Sequence, residues 1–113
     1  MLYINGTEIK LTRGDSAYLQ IPIVNQKPDG STEEYVLAEG DKLTMTMAKS
    51  YEDTPCFQKT ITNDNTFHIK PEDTCNCEFG KYKYDVQLTT ASGDVFTVVE
   101  PSCFQVLAEV TRE

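Results

Sequence analysis

Apolar side chains recur at every second position through most of this chain. That spacing belongs to strands with one buried face; helices place their apolar residues three and four apart. Ala17, Leu19, Ile21 and Ile23 alternate with Tyr18, Gln20 and Pro22, and Leu43, Met45 and Met47 alternate with Thr44, Thr46 and Ala48. Phe67 and Ile69 flank His68. The longest regular run sets Tyr82, Tyr84, Val86 and Leu88 against Lys81, Lys83, Asp85 and Gln87. The pattern predicts an all-β chain.

Turn residues punctuate these runs. Arg13-Gly14-Asp15 separates a strand over 8–12 from the Ala17 run, which Lys27-Pro28-Asp29-Gly30-Ser31 ends. Glu39-Gly40-Asp41, Asn63-Asp64-Asn65 and Ala91-Ser92-Gly93-Asp94 mark further connections, and Asn5-Gly6-Thr7 reads as a tight turn. Short strands at this spacing predict a sandwich or small barrel. Pro22 places its strand at a sheet edge or at a bulge, because proline cannot donate to a ladder. Pro71-Glu72-Asp73-Thr74 is the one segment with a helical start, with proline at a first helical position. At 113 residues the chain is read as a single β-sandwich domain, 1–113.

The chain carries 18 acidic against 10 basic side chains, a net charge of -8. Nucleic acid is excluded as an expected partner, because neutralising phosphates requires clustered Lys and Arg. An anionic membrane surface is excluded for the same reason. The segment from Met1 to Asn5 lacks the basic start and apolar run of an export signal, and no stretch approaches membrane-spanning length. The chain is therefore expected in the reducing cytoplasm, with Cys56, Cys75, Cys77 and Cys103 as free thiols.

Those four cysteines are the only candidate soft-metal ligands. Cys75-Asn76-Cys77 lacks the second spaced pair of a structural zinc site, so no metal and no cofactor is expected. Cys56 and Cys103 each precede a core-type phenylalanine and are expected to point away from the core. His68, the sole histidine, is expected on the solvated face, with no nucleophile nearby to serve as its partner in catalysis. Glu33-Glu34, Glu52-Asp53 and Glu72-Asp73 read as solvated charge in or beside loops, and Asn63-Asp64-Asn65 is too short for a recognisable calcium loop. The chain is expected not to be an enzyme. Arg13-Gly14-Asp15 is a tripeptide that some cell-adhesion receptors recognise, and it is also what a tight turn prefers. Tyr18, Tyr35 and Tyr51, if exposed, suit a protein interface or the face of a sugar ring.

Two resemblances sharpen this reading. Pro71 to Thr74 followed by Gly80-Lys81-Tyr82-Lys83-Tyr84-Asp85-Val86 resembles the approach to the F strand of an immunoglobulin-like sandwich. The resemblance implies a corner tyrosine, Tyr82 or Tyr84, bonded back to the chain upstream. It also implies an immunoglobulin-like β-sandwich of about seven to nine antiparallel strands, with at most a short helical turn near 71–75. The inter-sheet cysteine pair and core tryptophan of antibody domains are missing.

The second resemblance covers almost the whole chain. The ordered runs LTRGDSAYLQIPI, GDKLTMTM, FQKTIT, FHIKPEDT and FGKYKYDVQLTTASGDVFTV resemble phage and prophage proteins of Gram-positive gut bacteria, in particular the N-terminal domain of phage baseplate upper proteins. That family implies a non-enzymatic virion structural role with other tail or baseplate proteins as partners, and no catalytic residues. It implies a protein made in the cytoplasm and then built into the virion. Self-association is left open, and a carbohydrate- or host-surface-binding module is the alternative. Cys75-Asn76-Cys77 departs from the family, where a glycine-containing, cysteine-free loop is expected. With no receptor-binding or fibre region before Glu113, a stand-alone adaptor or one domain of an assembly is expected in place of a complete fibre.

Overall fold

The structure, a computed structural model, describes residues 2–5, 7–26, 28–50, 54–62 and 64–109, with the side chains of 2–5, 25 and 26 left aside. Ten strands and one helical turn are formed by these residues. In chain order they are β1 (Leu2–Asn5), β2 (Glu8–Thr12), β3 (Ala17–Gln20), β4 (Val24–Gln26), β5 (Thr32–Glu34), β6 (Lys42–Ala48), β7 (Phe57–Ile61), β8 (Thr66–Ile69), α1 (Pro71–Thr74), β9 (Gly80–Thr89) and β10 (Val95–Leu107). Among the described residues no helix is long and apolar enough to cross a membrane.

Six strands form one sheet in the order β1-β2-β10-β9-β6-β7, while β3 pairs with β8 and β4 with β5. The alternation works as periodicity dictates. Leu43, Met45 and Met47 lie opposite Leu88, Val86 and Tyr84 on one face, with Thr44, Thr46 and Ala48 on the other. From β3 and β8, Ala17, Leu19, Phe67 and Ile69 join the same hydrophobic cluster as Ile9, Leu11, Phe104 and Val106 of the large sheet. Each fully buried aliphatic or aromatic side chain contributes on the order of 1.5–3 kcal/mol. Tyr84 meets Phe104 edge-on at 5.9 Å, and burial pushes its phenol up to about 12 while its hydroxyl donates to the Thr7 carbonyl.

The structure departs from the sequence expectation in three ways. The strands number ten: the wholly exposed β5 lacks the alternation that reveals a half-buried strand, and the Ala17 run breaks before Pro22. They are not all antiparallel: β2 runs parallel to β10, with Ile9 opposite Phe104 and Leu11 opposite Val106. Between Thr12 and Ala17 the chain leaves the six-stranded sheet for the β3–β8 pair, and the turn at Arg13-Gly14 makes the crossing. Finally, Cys56 and Cys77 are joined as a disulfide, with their Cα atoms 6.1 Å apart. The expectation of free thiols rested on compartment; the fold overrules it by proximity. The Cys56 N–H donates to the Met47 carbonyl at the entrance to β7, and Cys77 follows α1, bonded to the Thr74 carbonyl.

The helical turn forms at the expected place, and its local reason is visible. Pro71 opens it, and the Asp73 carboxylate accepts the Lys70 N–H at 2.8 Å. Burial pushes the Asp73 carboxyl up, but the Lys59 ammonium at 2.6 Å and the Lys70 N–H outweigh burial and hold it below its ordinary value. Lys59 also donates to the His68 carbonyl, which fastens β7, β8 and α1 together.

Candidate functional site

The alternation fails at Val95-Phe96 and again at Val98-Val99, where apolar residues stand side by side. A strand cannot turn two neighbours inward, so one of each pair must face outward. Val95 and Phe96 are 56% and 54% exposed, and Val24, on the neighbouring segment, is 62% exposed. Phe96 and Val24 border a groove of about 380 Å³ between the segment Pro22–Val24 and strands β9 and β10, whose lining also includes Ile23, Tyr35, Leu88 and Val98.

Strand order leaves this groove open. β2 covers β10 only from Phe104 to Leu107, so among the described residues no strand pairs with Val95–Pro101 on the side away from β9. Two register shifts against β9, one between Thr97 and Val99 and one between Val99 and Ser102, bend β10, and Pro101 lies in the second. Bulges and proline are the usual means of blunting an edge. Here they lie on the C-terminal side of Val95–Thr97, which is left regular.

The opposite wall is fixed by a buried carboxylate. Asp41 is 3% exposed and accepts hydrogen bonds from the Tyr35 hydroxyl, the Ala38 N–H at 2.9 Å and the Ala91 N–H at 3.2 Å. The Tyr35 hydroxyl first, and then the backbone N–H groups, hold the Asp41 carboxyl below its ordinary value, and the same contact raises Tyr35. Gly40 has φ 90°, and a Cβ built there meets the Ala91 Cβ at 2.7 Å. Loop 35–41 is thus locked on the turn that leads into β10, and Tyr35 is held in the groove wall with it.

The residues singled out from sequence do not converge. Arg13 is folded back, its guanidinium bonded to both Glu109 carboxylate oxygens at 3.0 and 2.7 Å, to the Cys77 carbonyl, and stacked 4.1 Å over Phe79. The Gly14 N–H donates to the buried Thr74 hydroxyl at 3.0 Å. The Arg13-Gly14-Asp15 turn is therefore an internal tie, not a displayed tip. Tyr18 is 66% exposed and stacks on His68 with ring centroids 4.3 Å apart, on the outer face of β3–β8. Tyr35 is half-buried, and Tyr51, Glu52, Asp53 and Asn63 lie outside the described residues.

Of the cysteines, Cys56 and Cys77 are spent on the disulfide. Cys75 is an exposed free thiol, and Cys103 is half-buried beside the fully buried Phe104. The four therefore do not meet as thiolates. Cys56 packs against the core, contrary to expectation, because its partner Cys77 is part of it. Glu33 and Glu34 stand exposed on the short strand β5, beside the loop that follows it, and Asp73 is paired with Lys59. The Asp64 carboxylate accepts the Thr66 N–H, and the Asn65 side-chain amide donates to the Ile21 carbonyl, which ties this segment to the end of β3. The Tyr82 hydroxyl donates to the Glu78 carbonyl, four residues upstream, at 2.7 Å, whereas Tyr84 reaches across to Thr7.

No family model, no curated protein and no solved structure matches the chain. The groove itself was not singled out from sequence. Its signal was present in the doubled apolar residues of β10, but which of them face outward depends on the bulges.

Proposed function

We propose that this chain is a non-enzymatic structural protein of a phage or prophage, an adaptor or interaction domain of the tail or baseplate built as an immunoglobulin-like β-sandwich. The observation that carries the interaction reading is the open apolar edge of β10, where Val95 and Phe96 are more than half exposed beside Val24. Exposed apolar surface at an unpaired edge is what a partner covers.

Strand order supports the immunoglobulin-like part. The run β10-β9-β6, extended by β7, follows the order of the G, F, C and C′ strands, and β3–β8 stands as the B–E pair of a second layer. Tyr82, bonded to the Glu78 carbonyl, occupies the place of a corner tyrosine. Support for the tail or baseplate comes from the ordered motifs from Leu11 to Val98. On this reading the protein is made in the cytoplasm, incorporated into the virion, and contacts other tail or baseplate proteins.

The test is mass spectrometry of particles purified after prophage induction, together with the genes beside this one. Recovery in particles, with tail tube or tape measure genes adjacent, is the expected result. A metabolic neighbourhood and particles without the protein would refute the proposal. One observation favours the alternative of a glycan- or host-surface-binding module: the exposed Tyr18 ring stacked on His68. Binding on a glycan array or host cell walls that Tyr18→Ala abolishes would support it, and blank assays would remove it.

A further inference from the structure

The groove beside β10 has a chemistry that narrows its occupant. Its lining draws on Pro22, Ile23 and Val24 in a row and on Phe96, Thr97 and Val98 in a row. Tyr35, Leu88 and Thr90 complete the lining, so the groove opens between Pro22–Val24 and the face shared by β9 and β10, and it reaches the free edge of β10 at Thr97, whose register partner Gln87 is exposed. The edge stretch Val95–Thr97 is regular, apolar and without a strand on its outer side among the described residues. Backbone groups on such an edge are satisfied by water or by an added extended chain.

The charged residues within two positions of the lining are all acidic. Glu34 is opposite Val24 in the β4–β5 pair, Asp94 directly precedes Val95, and Glu100 follows Val98 by two positions. No Lys or Arg falls within two residues along the chain of any lining residue. Among the described residues, the cation that register brings nearest is Lys42 of β6, opposite Thr89 of β9 and two strands from the open edge. A second copy of this chain would bring the same carboxylates against these, in a protein of net charge -8. Like charges across an interface oppose association, and complementary charge directs it.

We propose that the β10 groove is the docking site for an extended, lysine- or arginine-bearing segment of a different protein, which lies along Val95–Val98 with apolar side chains against Pro22, Val24 and Phe96. This deepens the interaction reading above by naming the surface and the chemistry of its partner.

The probe is a fluorescent peptide alternating valine with threonine and flanked by lysines, compared with the same peptide flanked by glutamates. Anisotropy is expected to report binding of the lysine peptide only, weakened about tenfold between low and high salt as screening removes the charge term. Amide chemical-shift changes should concentrate at 22–24 and 95–98. Phe96→Lys alters an exposed side chain, so it should leave the melting temperature unchanged while it weakens binding at least about tenfold. Glu34→Lys should weaken it less and flatten the salt dependence.

No binding, equal binding of both peptides, shifts elsewhere, or indifference to Phe96→Lys would each overturn the proposal. A homodimer whose formation protects residues 95–98 would overturn it in favour of a second copy. Recovery from tail particles is scored separately. A protein found in particles whose groove fails these assays refutes the docking site alone, and a functional groove in a protein absent from particles refutes the tail assignment alone.

Discussion

Cutting the Cys56–Cys77 bond should destabilise the fold by an amount that its place in the chain sets. The bond closes a loop with a sequence separation of 21. A cross-link of that span removes denatured-state entropy worth about 3.3 kcal/mol at room temperature. For 113 residues the unfolding entropy near the melting point is about 0.24 kcal/mol per kelvin. The ratio gives a fall in melting temperature of roughly 14 °C. The assay is thermal unfolding followed by circular dichroism, with and without reductant, on the parent protein and on Cys56→Ser, Cys77→Ser, Cys75→Ser and Cys103→Ser. The parent under reductant and the first two variants should melt alike and low; Cys75→Ser and Cys103→Ser should stay at the parent value. Intact-mass alkylation should count two free thiols per oxidised chain. If Cys75→Ser melts as low as Cys77→Ser, then Cys75 is the partner of Cys56 and the Cys56–Cys77 pairing is wrong. If reductant changes nothing, the loop-closure reasoning fails.

Three further outcomes are expected. Val86→Asp buries an unpaired charge at a fully buried position of β9 and should cost more than about 4 kcal/mol, whereas Gln87→Asp on the exposed face should stay within about 0.5 kcal/mol; equal effects in denaturant titrations would mean the strand faces are misassigned. Asp41 is held below its ordinary value chiefly by the Tyr35 hydroxyl, so its contribution is present above the unfolded carboxylate value of about 3.9 and is lost as pH falls through the lower folded value. Asp41→Asn should flatten that acid limb of the melting-temperature profile, and an unaltered limb would remove Asp41 as its source. Arg13→Lys loses the paired bonds to Glu109 and the stack on Phe79, so it should lower the melting temperature, while competition with receptor-mediated cell adhesion stays blank for the parent; competition at low concentration would restore the displayed-tripeptide reading.

The sequence by itself determined the β class, the inward faces of β3, β6, β8 and β9, and the helical turn at Pro71, because each follows from a local rule: period-two alternation or the fixed φ of proline. Register, crossing and closure depend on contacts between residues far apart in the chain, so only the tertiary structure decided them. It set β2 parallel to β10, joined Cys56 to Cys77, folded Arg13 onto Glu109 and Phe79, and buried Asp41 under three hydrogen-bond donors. The groove stands between these two kinds of information. The doubled apolar residues of β10 announced that one of each pair must face outward, and the bulges with the short reach of β2 left Val95 and Phe96 more than half exposed at an open edge.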